Sequence, residues 1–306
     1  MSLAVGIDIG GTGIKYSLVT EVGEVRRRHY HPLQRGVAYS ELLSEMAGTV
    51  ASLAADASDK IIGIGLATPG HIERIGYTFV DGGENLPALG EGRIVPDLAD
   101  ATDLPVAIEN DGLAAAMGEM MFGAGQGVEN FAMLTLGTGV GGGLICGGRP
   151  NHGPGRQPPE FGAIVLDIAG PPNTHGQPGT LEAFAGKAGF AAAFARQGLI
   201  GDDLRAHFAL AGQGHEPAVR AVDAVALRIA QAIGIITNIA NIEICIIGGG
   251  VSGAGPVLFE AIERHLPHYT WPALYPNVRI VSAKNGNDAG TLGAAALAFD
   301  ANAQPG

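Results

Sequence analysis

A glycine-rich turn between two apolar runs occurs twice in this chain, once near residue 10 and once near residue 138. The first copy reads GIDIGGTGIKYSL and the second reads MLTLGTGVGGGLI. In each copy a short β-rich run stops at glycines, whose backbone reaches angles that other residues avoid, and a second run follows. The repeated order of strand, turn and strand predicts two similar α/β domains that face each other across a cleft.

The periodicity of apolar residues predicts the elements around these turns. Three strands are expected before residue 31, and the apolar spacing after them indicates a helix from Tyr39 to Ala55. Later helices are predicted over 112–121, 181–197, 219–239, 256–266 and 289–299, and strands over 61–66, 105–109, 242–247 and 278–282. We therefore expect one lobe over residues 1–112, completed by a C-terminal helix at about 288–306, and a second lobe over 113–287.

Composition excludes several classes of protein. Lys and Arg number 18 and Asp and Glu number 30, so the net charge of −12 repels nucleic acid and anionic membranes.

Cys146 and Cys245 lie far apart in apolar runs, which favours free thiols in a reducing compartment over a disulfide framework. No signal peptide or long apolar run is recognisable, because Asp8 interrupts the first apolar segment early. These features predict a cytoplasmic protein.

Two segments match the glycine spacing of dinucleotide-binding turns: Gly137, Gly139 and Gly142, and Gly248, Gly250 and Gly253. The second lies between an apolar strand and a helix that begins at Pro256, as such a turn requires. However, the acidic residue that binds the ribose is missing, because no acidic residue occurs between Glu263 and Asp288. NAD binding is therefore disfavoured, and the absence of a G-x-x-x-x-G-K-[ST] sequence excludes a P-loop.

The glycine turns suit a polyphosphate ligand bound through the backbone. The chain has only four lysines, so phosphates would have to be held by backbone N–H groups, helix N-termini and a metal ion. One turn in each domain would place amides and a threonine hydroxyl around the phosphates, and Asp8 at a strand end could hold Mg²⁺ through water. The alternative is that each turn is only a tight hairpin connection.

Four motifs, taken in order, resemble those of the bacterial ROK family of sugar kinases. They are DIGGT at 8–12, ENDG at 109–112, LGTGVGGG at 136–143 and IGGGV at 247–251. The similarity extends over nearly the whole chain. It implies a ribonuclease-H-like, actin- or hexokinase-type α/β fold with two lobes and a central cleft, and an ATP- and Mg²⁺-dependent transfer of phosphate to a hexose.

The resemblance also implies roles for individual residues. Asp111 would be the catalytic base, and a carboxylate at the end of a strand can accept the proton of a sugar hydroxyl. The alternative is that Asn110 and Asp111 only cap the helix that follows. The implied sugar contacts are Asn85, Asn110, Asp111, Glu160 and Glu182. The implied nucleotide contacts are Asp8, Gly10, Gly11, Thr12, Gly137, Thr138, Gly139, Gly248, Gly249 and Gly250.

The chain departs from the family at its zinc site. Most members carry E-x-G-H followed by C-x-C-G-x-x-G-C-x-E, whereas this chain reads EFGA at 160–163 and NTHGQPGTLE at 173–182. The glycines and glutamates remain, but all four metal ligands are replaced, and His175 alone cannot form a tetrahedral site. We therefore expect no structural zinc. The lost histidine also contacts the sugar in the family, so Ala163 leaves the identity of the sugar open.

The sequence thus predicts an ATP-dependent hexose kinase acting on the 6-hydroxyl of glucose or a close relative. Fructose, N-acetylmannosamine or another modified sugar remains an alternative substrate, and polyphosphate an alternative donor, because polyphosphate glucokinases share GGTGIK and EFG with this chain and also lack the cysteines. A sugar-sensing protein without catalysis is a further alternative, although such a sensor would need neither Asp111 nor the phosphate turns. A homodimer is possible, since dimers are common.

Overall fold

The computed structural model describes residues 1–34, 36–55, 57, 59–73, 78–81, 86–153, 157–201 and 203–303. The contacts within the chain divide the protein into two compact units. The first comprises Met1–Gln126, Pro150–Pro158 and Lys284–Gly306, and the second comprises Gly127–Arg149 and Pro159–Ala283. The first unit extends beyond the boundary expected at residue 112, because the helix after that point packs against the C-terminal helix.

The first unit is built on a five-stranded sheet of order β3-β2-β1-β4-β7. β1 and β2 are antiparallel, as are β2 and β3, while β1, β4 and β7 run parallel. The strands are β1 (Ser2–Ile9), β2 (Gly13–Thr20), β3 (Val25–Pro32), β4 (Lys60–Thr68) and β7 (Val106–Asn110), with a small hairpin of β5 (His71–Glu73) and β6 (Thr78–Asp81). The helices are α1 (Tyr39–Ala54), α2 (Ile94–Thr102), α3 (Asp111–Phe122) and α9 (Ala289–Ala303).

Helices cover both faces of this sheet. On one face Leu3, Val5 and Ile7 of β1 join a core with Leu42 and Met46 of α1. On the other face Ala4 and the small side chains of α9 form a second cluster. Helix α9 lies very close to the sheet, because a Cβ atom at Gly6 or Gly65 would overlap backbone atoms of that helix. Glycines in two central strands therefore create the space for the C-terminal helix.

The second unit repeats the same sheet order, β10-β9-β8-β11-β12. β8 and β9 are antiparallel, while β8, β11 and β12 run parallel. The strands are β8 (Phe131–Leu136), β9 (Val140–Cys146), β10 (Arg149–Pro150), β11 (Ile244–Gly248) and β12 (Arg279–Ser282). The helices are α4 (Leu181–Ala185), α5 (Lys187–Arg196), α6 (Leu204–Gly212), α7 (Glu216–Ala240) and α8 (Pro256–His265). Their apolar faces form one continuous core with the sheet.

The structure corrects some predicted elements. The helix expected over 181–197 is two helices, because Gly186 adopts an extended conformation between α4 and α5. Helix α2 was not predicted, although its Pro96 lies in the first turn, where proline is tolerated. Helix α6 was also missed. Among the helices of the described ranges, none is both long enough and apolar enough to cross a membrane.

Candidate active site

In the first unit, the predicted site residues lie where parallel strands end. Asp8 pairs with Ala67 across β1 and β4, and Thr68 pairs with Asn110 across β4 and β7. Because these three strands run in the same direction, their carboxyl ends meet at one edge of the sheet. The fold therefore brings together Asp8, the turn that follows it, Asn110 and Asp111, which lie far apart in sequence.

Asp8 is held in a confined position at this edge. Its side chain is 17% exposed, and Oδ2 lies 3.8 Å from Lys15 Nζ. Burial raises the pKa of Asp8 above the usual range of an aspartate, and the charge of Lys15 opposes part of that rise. A Cβ atom at Gly290, at the start of α9, would overlap the Asp8 carboxyl group. Any side chain at Gly290 would therefore displace the Asp8 carboxylate.

The turn after Asp8 has exposed residues at its tip. The Gly10 N–H donates to Gly13 O at 3.0 Å, which closes the turn between β1 and β2. Gly11 and Thr12 at its tip are exposed. An exposed tip of this kind can approach a phosphate closely, because glycine carries no side chain to prevent it.

Asn110 is the residue that caps helix α3. Its Oδ1 accepts hydrogen bonds from Gly112 N at 2.9 Å and Leu113 N at 3.3 Å, and its Nδ2 donates to Gly70 O at 3.4 Å. Asp111 Oδ1 also accepts from Gly112 N at 2.8 Å, and Asp111 is exposed. The capping contacts considered as the alternative role of this pair are present, and they belong mainly to Asn110.

Sequence reasoning missed a buried pair beside Asp111. Glu109 is the penultimate residue of β7, and its side chain is only 3% exposed. His152 Nε2 lies 2.8 Å from Glu109 Oε2. The other oxygen of Glu109 accepts the N–H of Asn110 at 2.9 Å. One signal was available: an acidic residue at the end of an apolar strand requires a partner. Nothing in the sequence indicated that the partner is His152.

In the second unit, the two glycine turns lie side by side. β8 and β11 are parallel neighbours, with Gly248 paired to Thr135, so the turn at 137–139 and the turn at 248–250 end adjacent strands. Gly249 has φ of +83°, and a Cβ atom there would overlap Leu136 O. The first turn is closed by Gly137 N donating to Gly139 O at 3.0 Å, and Lys187 N donates to Gly137 O at 2.9 Å.

The segments that carry the two predicted sugar glutamates of this unit both contact Val140. Glu182 Oε2 accepts the Val140 N–H at 3.2 Å, and its Oε1 accepts from Thr174 Oγ1 at 3.3 Å. Glu160 is exposed and precedes a 3₁₀ turn whose Gly162 lies against Val140 O. The structure therefore brings both glutamate segments to the strand that follows the Gly137–Gly139 turn.

One segment of this unit corresponds in sequence to the zinc-binding loop of the ROK family. Side-chain contacts hold this segment in place. Arg228 of α7 donates to Asp167 Oδ2 at 3.1 Å, and its guanidinium carbon lies 4.4 Å from the centre of the Phe184 ring. Asn173 Oδ1 accepts the N–H groups of His175 at 3.0 Å and Gln177 at 2.9 Å. Within the described residues, no group of three or more His, Cys, Asp or Glu side chains could hold a metal ion. The donors of this loop do not fit zinc.

Asn85, the remaining predicted sugar contact, lies outside the described residues. Each unit holds its own group of the other predicted residues. The first unit holds Asp8, Gly10, Gly11, Thr12, Asn110 and Asp111, and the second holds Gly137, Thr138, Gly139, Glu160, Glu182, Gly248, Gly249 and Gly250.

Two α/β units with one repeated sheet order define a protein of the ribonuclease-H-like, actin and hexokinase fold class, as predicted. The chain belongs to the ROK family, which it matches over residues 4–301. It is 34% identical to a glucokinase of Halalkalibacterium halodurans, over 94% of this chain and 92% of the relative. It is also 34% identical to an N-acetylmannosamine kinase of Escherichia coli, over 95% and 97%.

A solved structure shares the fold. The ROK family glucokinase from Streptomyces griseus, in complex with glucose and AMPPNP, superposes with a TM-score of 0.80 at 26% identity, covering 97% of this chain and 99% of that one. The resemblance inferred from the motifs is therefore confirmed at the level of the family.

Proposed function

We propose that this chain transfers the terminal phosphate of ATP to a hexose hydroxyl, the 6-hydroxyl of glucose or of a closely related sugar. The observation that carries this proposal is the placement of Asp111 on the same sheet edge as Asp8 and its glycine turn. A base and a phosphate-binding turn on one edge are what an in-line phosphoryl transfer requires. The relatives named as sugar kinases support the proposal.

Each group has a defined task in this proposal. Asp111 accepts the proton of the attacking hydroxyl as the phosphoryl group is transferred. The amides of Gly10, Gly11, Thr12 and of the 137–139 turn bind the phosphates, and Thr138 adds a hydroxyl. The Gly248–Gly250 turn contacts the adenosine.

Asp8 fits Mg²⁺, because a carboxylate oxygen beside phosphate-binding amides is the kind of ligand that Mg²⁺ takes, directly or through water. When bound, Mg²⁺ would neutralise charge on the phosphates. No zinc is needed in this proposal, since Ala163, Asn173 and Thr180 offer neither thiolate nor imidazole.

The sugar is recognised through polar side chains that pair with its hydroxyl groups. Asn85, Asn110, Glu160 and Glu182 supply amide and carboxylate groups, and a substrate that leaves such groups unpaired loses binding energy. Ala163 stands where most of the family has a histidine, which leaves room and removes a polar partner. This observation favours a second candidate substrate, a sugar with a larger ring substituent such as N-acetylmannosamine. The similarity to a relative named N-acetylmannosamine kinase supports this candidate.

The proposal also covers the cellular compartment, the ligands and the partners of the protein. We place the reaction in the cytoplasm, because the two separated cysteines favour a reducing compartment. The ligands are a sugar and a nucleotide, and a net charge of −12 disfavours a nucleic-acid or membrane partner. A homodimer is compatible with this activity.

The test is a coupled assay over a panel of sugars with ATP and with polyphosphate as donors. We expect turnover with ATP, and Asp111→Asn should lower kcat by about 10²- to 10⁴-fold with little change in sugar binding. Asp103→Asn is the matched control, because Asp103 is exposed in the same unit and its φ of +55° is one that asparagine tolerates. Turnover of Asp111→Asn near that of the wild type would refute the assignment of the base.

A further inference from the structure

A buried carboxylate lies two residues before the proposed base, and it has a histidine as its partner. Glu109 is 3% exposed and His152 is 17% exposed, and the two side chains meet at 2.8 Å. A buried carboxylate is costly unless it is paired and hydrogen-bonded. One proton must lie between Nε2 and Oε2, because two lone pairs at that distance would repel. The pair is thus a specific interaction of this site.

The two oxygens of Glu109 connect different parts of the chain. Oε2 contacts His152, on the 150–158 segment, while Oε1 accepts the N–H of Asn110. A carboxyl group held at both oxygens has a fixed orientation, so the backbone of Asn110 is fixed with it. Asn110 in turn caps α3 at Gly112 and Leu113, around Asp111.

We propose that His152 is a positioning residue that acts through Glu109 to hold the strand end that carries Asp111. The inference rests on the proposed function, since it assigns a role in the same reaction. His152 does not touch the reacting atoms in this account. It keeps Glu109 in the one orientation that binds the Asn110 amide, and so keeps Asp111 in the place from which it accepts the proton.

The first test compares His152→Ala with His152→Gln. We expect His152→Ala to lower kcat by about 10- to 100-fold, because a small displacement of a catalytic group has an effect of that size. His152→Gln should recover most of the loss, since its amide N–H can donate to Glu109. Equal losses in both variants would contradict the proposal.

The matched control is His31→Ala. His31 also faces a glutamate, Glu45, but it lies on β3, at the opposite edge of the sheet from β7. We expect wild-type kcat from this variant. A loss in His31→Ala equal to that in His152→Ala would mean that removal of any histidine–glutamate pair in this unit impairs the enzyme, and would overturn the specific role of His152.

The second test repeats His152→Ala in the Asp111→Asn background. If His152 acts only by placing Asp111, its removal has no further effect once the carboxylate is gone, and the double variant retains the residual kcat of Asp111→Asn. A further loss of about the same factor as in the wild-type background would show an independent effect and would reject the proposal.

Hydrogen exchange separates this inference from the proposed function. The Asn110 amide should exchange faster in His152→Ala and at the wild-type rate in His152→Gln, whether or not any sugar is phosphorylated. A wild-type chain inactive on every sugar would reject the proposed function alone. Unchanged Asn110 protection in His152→Ala would reject the positioning role alone.

Discussion

The carboxyl group of Glu182 lies against the α-carbon of Gly139. Oε2 of Glu182 accepts the N–H of the next residue, Val140, at 3.2 Å, and a Cβ atom at Gly139 would overlap that oxygen. Glu182 is a proposed sugar contact and Gly139 belongs to a proposed phosphate-binding turn. The two proposed subsites therefore share one close contact within the second unit.

Gly139→Ala should displace the Glu182 carboxylate and weaken sugar binding by about 10-fold, because the added methyl group must move it. Gly137→Ala is the comparison, since a Cβ atom there has no neighbour within 4 Å. Isothermal calorimetry with sugar and no nucleotide measures both, and we expect Gly137→Ala to bind like the wild type. Equal affinities in the two variants would contradict the role of Glu182.

Arg228 should stabilise the 164–180 loop through its ion pair with Asp167 and its contact with Phe184. Arg228→Met should lower the free energy of unfolding by about 1–2 kcal/mol, because the Arg228 side chain is only 25% exposed. Arg220→Met, on the same helix, is the control: its pair with Glu216 is well exposed. Urea denaturation compares them, and an equal loss in both variants would disprove the specific role of Arg228.

Removal of metal should leave the fold intact. Ala163, Asn173 and Thr180 offer no thiolate or imidazole, and Asn173 is already used in a local turn, so we expect no stoichiometric zinc in the purified protein. After exhaustive chelation and addition of Mg²⁺, Tm and activity should return to their starting values. Stoichiometric zinc by elemental analysis, or a Tm that falls sharply on its removal, would show that this expectation is wrong.

Gly65→Ala should destabilise the first unit by about 3 kcal/mol, because its methyl group would overlap the carbonyl oxygen of Ala294 in α9. Gly48→Ala is the control: Gly48 lies inside α1 and a Cβ atom there meets nothing within 4 Å. We expect that variant to gain about 0.5–1 kcal/mol, since alanine favours the helix. Thermal unfolding measures both, and a neutral Gly65→Ala would refute the close packing of α9.

Local patterns in the sequence determined most of the strands, helices and turns of this protein. The alternation of apolar residues predicted most strands and helices, because the period of burial follows from backbone geometry. Glycine and threonine at two strand ends predicted the turns, whereas the role of Asp111 is what the resemblance to the family implies and stays a prediction. These signals are short in range, so the sequence carries them directly.

Contacts between distant parts of the chain were decided only by the tertiary structure. Glu109 meets His152, Arg228 meets Asp167, and Gly65 meets α9, and in none of these cases does one residue of the pair predict the other. Gly186 ended α4 although the apolar spacing continued across it. The physical reason is that such partners are selected by packing, which depends on how the sheets and helices meet and not on the order of neighbouring residues.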